Sequence, residues 1–219
     1  VGFDIKVHSW FEKPDDSFTY LMMEMRQETD YVIHHIQKVV GFFLAMRTFA
    51  QTLREKGHQI VYLSLDHPSN RQNLKDQLAD LIQSEGFTRF EYQLPDEYRL
   101  DQILKEVCES LPIPSFPVDT EHFLTSREFL KDFFKGKKTY LMETFYREMR
   151  KKYNILMDGK EPLTGQWNYD HDNRQALKDK KLLKKPLIYP KNVQEIALMI
   201  EKAGVSTIGT IDPEQFSPR

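Results

Sequence analysis

Three short apolar runs, each followed by a longer stretch of helical periodicity, constrain this chain more than any other feature. Residues 18–24 (FTYLMME), 59–65 (QIVYLSL) and 89–94 (RFEYQL) are too short for helices and read as strands. Between and after them, apolar residues return every three or four positions. Residues 33–56 place Val40, Phe43, Leu44, Ala45, Phe49 and Leu53 on an inner side, with Gly57 as the stop. Residues 73–85 form a second helix closed by Gly86, and a third runs from Glu97-Tyr98-Arg99 to Ser110. This alternation predicts an α/β fold: a parallel sheet with flanking helices and right-handed crossovers. Phe116-Pro117-Val118 carries a proline and is predicted as an edge strand. Thr125 or Ser126 is placed to cap a helix that begins at Arg127-Glu128.

In such folds ligands meet the loops at the carboxyl ends of the strands, which directs attention to residues 25–31 (MRQETDY). His34-His35 lies just beyond. Adjacent positions on a helix point about 100° apart, so a shared metal ion is disfavoured against one core and one surface histidine. His8-Ser9-Trp10-Phe11 reads either as pocket lining or as a surface loop with an aromatic anchor. No Gly-x-Gly-x-x-Gly or phosphate-loop pattern follows any strand, and no Gly-x-Ser-x-Gly elbow is present. Cys108 is the single cysteine, which excludes an internal disulfide, a Cys-rich zinc site and a self-contained iron–sulfur cluster. It reads as a small buried hydrophobe. No apolar run reaches the length of a membrane span, the start lacks the order of a signal peptide, and the composition suits the cytoplasm.

The net charge of −2 hides an asymmetry. Residues 1–130 carry 13 Lys+Arg against 21 Asp+Glu, and residues 131–191 carry 16 against 8. A basic second half suits a surface turned toward phosphates; a solvated face with a basic linker at residues 178–185 is the plainer alternative.

Residues 142–174 combine two unlike halves. Leu141, Phe145, Met149 and Tyr153 recur at helical spacing among Arg147, Glu148, Arg150, Lys151 and Lys152. Asp158-Gly159 and Thr164-Gly165 then signal turns, and Trp167, Asn168, Tyr169, Asp170, Asn173 and Arg174 crowd one short run. The sequence FYREMRKKYNILMDGKEPLTGQWNYDHDNR resembles the signature of the deoxyribodipyrimidine photolyase-related proteins, the bacterial cryptochromes and (6-4) photolyases that carry an iron–sulfur cluster. That family's pattern has Gly-Gly and a basic residue before Trp-Asn-Phe/Tyr-Asp; here Thr164-Gly165-Gln166 stands instead.

The resemblance implies an antenna-type α/β domain, a Rossmann-like parallel sheet with flanking helices, over residues 1–135. It further implies a helix plus interdomain linker over residues 136–219, leading to a helical flavin-binding domain not contained here. The antenna would hold 6,7-dimethyl-8-ribityllumazine, with Glu28 and Tyr31 at the contacting positions; a helix cap and a packed ring are the structural alternatives. Asp170 and Arg174 would face damaged DNA at the lesion cleft, or else form an ion pair that locks the linker. Trp167 and Tyr169 would stack or carry electrons, or else anchor the linker. Glu97-Tyr98-Arg99 matches a family segment in which the arginine pairs an acid. FAD and the [4Fe-4S] cluster would belong to the missing half, and the partners would be damaged DNA and the chain's own flavin domain. The full protein would be a DNA photolyase, repairing the (6-4) photoproduct with light, or a signalling cryptochrome; the present piece would not act alone. Members normally open with a buried strand and a Gly-Asp/Asn-Gln-Leu turn, a motif that residues 1–7 do not show, so that strand is either altered or partly absent. The alternative function is a non-enzymatic nucleic-acid-binding or interaction module that kept the fold and lost the chromophore; a nucleotide-binding α/β protein is a third.

Overall fold

Each apolar run becomes a strand and each periodic stretch a helix. The computed structural model describes residues 8–174, 176, 183–185 and 187–217. After a 3-10 turn at Ser9–Phe11 come β1 (Thr19–Met23), α1 (Gln27–Asp30), β2 (His34–His35), α2 (Ile36–Glu55), β3 (Gln59–Leu63), α3 (Leu74–Glu85), β4 (Phe90–Gln93), α4 (Tyr98–Ser110) and β5 (Ser115–Val118). Then follow α5 (Arg127–Phe134), α6 (Met142–Tyr153), β6 (Met157–Asp158), β7 (Glu161–Pro162), α7 (Asp170–Asn173), α8 (Gln194–Lys202) and β8 (Thr207–Ile208). The opening strand expected of residues 1–7 lies outside the described residues, as does most of the basic run 178–185.

Local chemistry sets the boundaries. Polar side chains accept orphan amides at the start of α2, α3, α4 and α5. His35 Nδ1 accepts from Gln37 N at 3.2 Å before α2. Asn73 Oδ1 accepts from Asp76 N at 3.1 Å before α3. Glu97 takes the amides of Arg99 and Leu100 before α4. Of the two candidate caps for α5, Ser126 is the one used, accepting from Phe129 N at 3.2 Å. α2 starts at Ile36 rather than residue 33, because His35 is extended and pairs in β2. Its buried face is Val39, Val40, Phe43, Ala50 and Leu53. Ala45, expected inside, is exposed: it lies two residues from Phe43, about 200° around the helix.

Contacts divide the chain into two units: Val1–Leu124 with Ile188–Arg219, and Thr125–Leu187. In the first, β1 and β3 pair in parallel, Thr19 opposite Gln59 through Met23 opposite Leu63, and α2 is the crossover between them. β4 and β5 make a second parallel pair, joined by α4. Parallel strands with helical crossovers are the α/β, Rossmann-like architecture expected. The core of this unit is the seam of α2 with α8. Val40 and Phe43 meet Val193, Ile196, Met199 and Ile200, and Phe216 closes the end. β8 returns to pair with β2, and there Gly209 adopts φ +78° where a Cβ would run into the His35 ring.

The second unit is small and mostly helical. α5 and α6 share an aromatic cluster in which Phe133 meets Phe145 at 5.4 Å and Phe134 meets Tyr140 at 5.1 Å. β6 and β7 form a hairpin, with Gly159 (φ 58°) opening its two-residue loop.

Candidate functional site

The carboxyl end of β1 holds two Glu–Arg pairs with opposite environments. Glu24, directly after the strand, is fully buried. Arg47 of α2 reaches it from two nitrogens, Nε at 2.8 Å and Nη2 at 3.2 Å. The Tyr62 hydroxyl donates to it at 2.6 Å and the Leu65 amide at 2.8 Å. The carboxylate thus has four donors, which is what a buried charge needs. Burial, and then the hydrogen bond to Glu24, push the Tyr62 hydroxyl well above its ordinary range. Burial works against the Arg47 charge, but Glu24 more than offsets this and the net direction is upward. The sequence showed only an acid ending an apolar run; the signal for this network is an acid at a strand end that neither solvent nor a loop claims.

Four residues on, Glu28 sits in the first turn of α1 and is exposed. Arg99, on the first turn of α4 beyond β4, reaches its carboxylate with one nitrogen at 2.9 and 3.2 Å. The same guanidinium lies over the Tyr31 ring, 4.7 Å from its centroid. His34 meets Tyr31 edge-on at 5.1 Å. Tyr31 is 58 % exposed. The structure therefore brings the two residues expected at the antenna, Glu28 and Tyr31, together with Arg99, which the sequence reading had set apart as an acid-pairing residue. Hydrogen bonding to Glu28 leads the causes that raise the Arg99 charge's persistence above its usual range. The resulting patch offers a planar donor, an acceptor pair and an aromatic face, all at the carboxyl ends of β1 and β4, where open α/β sheets bind ligands.

His34 and His35 are engaged by different partners. His34 Nδ1 lies 3.1 Å from Lys38 Nζ, and His35 caps α2. Among the described residues no group of three or more His, Cys, Asp or Glu is arranged to hold a metal ion. Cys108 is half-buried on α4. Burial leads, and contact with Cys108 adds to, the upward push on the Tyr92 hydroxyl. His8, Ser9, Trp10 and Phe11 line a cleft, and Phe11 packs on Tyr20 at 4.8 Å and Phe49 at 5.4 Å, so both readings of that segment hold.

In the second unit Arg150, one of the charged residues of α6, is only 6 % exposed. Asn154 and Leu156 both adopt φ 51°, which folds the chain back over the helix end. The guanidinium donates to the carbonyls of Ile155 (3.0 Å), Trp167 (3.1 Å) and Leu156. Trp167 is half-buried, and Arg147, Arg150 and Lys151 all stand 5.3 or 5.4 Å from its ring centroid. Three cations around one indole mark a cation–π cluster. Glu143 ties the loop to α6, accepting from Arg147 Nε at 2.8 Å and from Asn168 Nδ2 at 3.2 Å. Asp170 lines a cavity of about 470 Å³ with Tyr146, Arg150, Trp167 and Asn168. Arg174 is exposed on the turn after α7 and is not part of that cavity's wall. Tyr169 bonds Thr164 through its hydroxyl. Among the described residues no helix is long and apolar enough to cross a membrane.

Comparison with known proteins gives one family. A family model described as deoxyribodipyrimidine photo-lyase-related protein matches residues 5–216. A (6-4) photolyase of Agrobacterium fabrum is 30 % identical over 198 residues, which is 90 % of this chain and 38 % of that protein. A protein of Acanthamoeba polyphaga mimivirus, described as uncharacterized, is 23 % identical over 175 residues, covering 76 % of this chain and 87 % of its own length.

Proposed function

The chain belongs to the deoxyribodipyrimidine photo-lyase-related protein family, and from that premise we propose that it is the light-harvesting α/β module of a protein that repairs (6-4) photoproducts in DNA. The observation that supports this reading best is the convergence of Glu28, Tyr31 and Arg99 at the carboxyl ends of β1 and β4. A ribityllumazine presents a flat heteroaromatic ring edged with donors and acceptors. Tyr31 offers it a stacking face, Glu28 accepts from its donors, and Arg99 donates to its carbonyl oxygens while fixing the Glu28 carboxylate. When bound, such a group supplies near-ultraviolet and blue absorption to the parent. FAD and a [4Fe-4S] cluster belong, in this reading, to the remainder of the parent: with Cys108 the single cysteine, this chain has no donor set for a cluster.

The second unit supports a nucleic-acid role for the same parent. The cations around Trp167, with Asp170 and the exposed Arg174 nearby in sequence, suit contact with phosphate and with a displaced base. Damaged DNA and the parent's flavin domain are the proposed partners.

The test is a titration of the purified chain with 6,7-dimethyl-8-ribityllumazine, read by fluorescence and absorption. Saturable binding is expected, weakened at least about tenfold by Tyr31→Ala or Glu28→Ala, about 1.4 kcal/mol or more. A second reading has its own support: Arg99 already satisfies Glu28 and covers one side of Tyr31. A module that lost its chromophore would look the same. No lumazine binding, together with salt-dependent retention of DNA, would establish that reading instead.

A further inference from the structure

The connection between β3 and α3, residues 64–73, is held in place by side-chain amides. Asn70 Nδ2 donates to the carbonyls of Glu24 and Ser64, each at 2.8 Å. Gln72 Nε2 donates to Leu65 O at 3.1 Å and to Glu24 O at 3.3 Å. Glu24 and Ser64 directly follow the paired ends of β1 and β3, where the ladder stops and a carbonyl needs another donor.

Gln72 does more than complete this turn. Its Oε1 accepts from the Arg26 amide at 2.8 Å, 46 residues back along the chain. Arg26 immediately precedes α1, and its own side chain does not cap that helix. Its guanidinium donates instead to Asp30 at 2.8 Å and to the carbonyls of Ala203 and Gly204 after α8. The Arg26 amide is therefore what ties the start of α1 to the loop after β3. The turn it anchors carries Glu28 and ends at Tyr31.

This placement strains the backbone. Gln72 has φ 56°, in the left-handed region that side chains other than glycine rarely adopt. Asn70 Oδ1 accepts from the Gln72 amide at 3.0 Å and turns the chain that way. A turn by itself is met with less strain by Gly, or by Asn with its short, locally bonding side chain. Neither has the length to reach both Leu65 and Arg26. Strain borne by a long side chain beside a ligand-binding loop marks a demand of the site rather than of the turn.

We propose that Gln72 is a positioning residue for the chromophore site, a role that rests on reading Glu28, Tyr31 and Arg99 as that site. Through the Arg26 amide it fixes the first turn of α1, and with it the Glu28 carboxylate and the Tyr31 ring opposite Arg99.

Two variants of the full chain test this. Gln72→Gly removes the side-chain bonds and the strain together; Gln72→Met removes the bonds but keeps the length and the strain. A residue serving the fold alone would lose stability along with its hydrogen bonds. A positioning residue gives a split instead. In Gln72→Gly the urea midpoint is expected to stay at or above the wild-type value, since relief of φ offsets the lost bonds. The Arg26 amide is nevertheless expected to exchange at least about tenfold faster in both variants. The ring-current shift that Tyr31 imposes on the Arg99 side chain is expected to shrink, with no ligand present. Lumazine affinity is expected to fall about fivefold or more, because the site is no longer preorganised. Wild-type exchange and ring-current shift in both variants overturn the proposal and leave Gln72 as a turn residue. A loosened loop with unchanged lumazine affinity overturns it too. A wild-type chain that binds no lumazine defeats the chromophore reading and not the geometry; Gln72 then stands or falls by exchange and ring current.

Discussion

Two glutamates four residues apart, Glu24 and Glu28, each meet an arginine from a distant part of the chain, and the pairs differ in what surrounds them. Glu24 is fully buried and has Arg47, Tyr62 and a backbone amide for company. Glu28 is about half exposed, and Arg99 holds it with one nitrogen. Removing one partner of a buried pair strands a charge in a poor solvent, whereas an exposed pair is replaced by water at little cost. The same chemistry therefore locks the end of β1 in one place and leaves a responsive surface in the other. A strand end held in this way keeps the loop that follows it in place.

The comparison breaks most readily at Glu24. Glu24→Ala is expected to destabilise the chain by ~3–5 kcal/mol, measured by urea unfolding. Replacing both partners, as Glu24→Leu with Arg47→Met, is expected to recover most of that loss, because no unpaired charge remains. If the double variant is as unstable as the single, hydrogen bonding to Tyr62 and Leu65, rather than charge pairing, is what fixes this strand end.

A third buried charge sharpens the point. Arg150 is paired with carbonyl oxygens and not with an acid. Arg150→Met is expected to cost about 2–3 kcal/mol, felt in the second unit, because hydrogen bonds to a charged donor are lost and carbonyls are left bare. Near-ultraviolet circular dichroism of Trp167 should change with it, since the indole is one of its contacts.

Much of this was legible beforehand. The periods of residues 33–56, 73–85 and 97–110 fixed helix identity, and the pair Thr125-Ser126 marked where α5 begins, the structure choosing Ser126 as the cap. The packing of α8 against α2 was not legible, because an amphipathic stripe states that a helix buries a face but not against what. The burial of Arg150 was not legible either: it depends on positive φ at Asn154 and Leu156, which neither residue advertises. Glu28 and Tyr31 came from resemblance alone, and the closeness of Arg99 came from topology, since 71 residues separate it from Glu28.

Tyr62 gives a smaller, pH-resolved test of the buried network. At neutral pH Tyr62→Phe is expected to cost about 1.5 kcal/mol, for one hydrogen bond to a charged acceptor. Burial and Glu24 raise the hydroxyl's pKa in the folded chain above the unfolded value of about 10. The folded state then binds more protons than the unfolded one above pH 10, so the wild-type chain loses stability as pH rises there. Tyr62→Phe lacks that dependence, and the gap between the two proteins should narrow above about pH 10 in alkaline denaturation curves.

The smallest expected effect on stability carries the most about function. Arg99→Ala removes the exposed half of the comparison, and urea midpoints are expected to move by no more than ~0.5 kcal/mol, within the range of exposed ion pairs. If the patch exists to hold the sheet together, the loss will instead approach that at Glu24. If it exists to meet a ligand, stability will hold while lumazine affinity falls, because Glu28 loses the group that orients it and the ring loses a donor. Arg99→Lys separates the two roles of that side chain. It keeps the charge beside Glu28 but loses the flat guanidinium over Tyr31. Affinity intermediate between wild type and Arg99→Ala would assign part of the effect to charge and part to the planar fork, whereas full affinity in Arg99→Lys would leave charge alone as what this corner of the fold supplies.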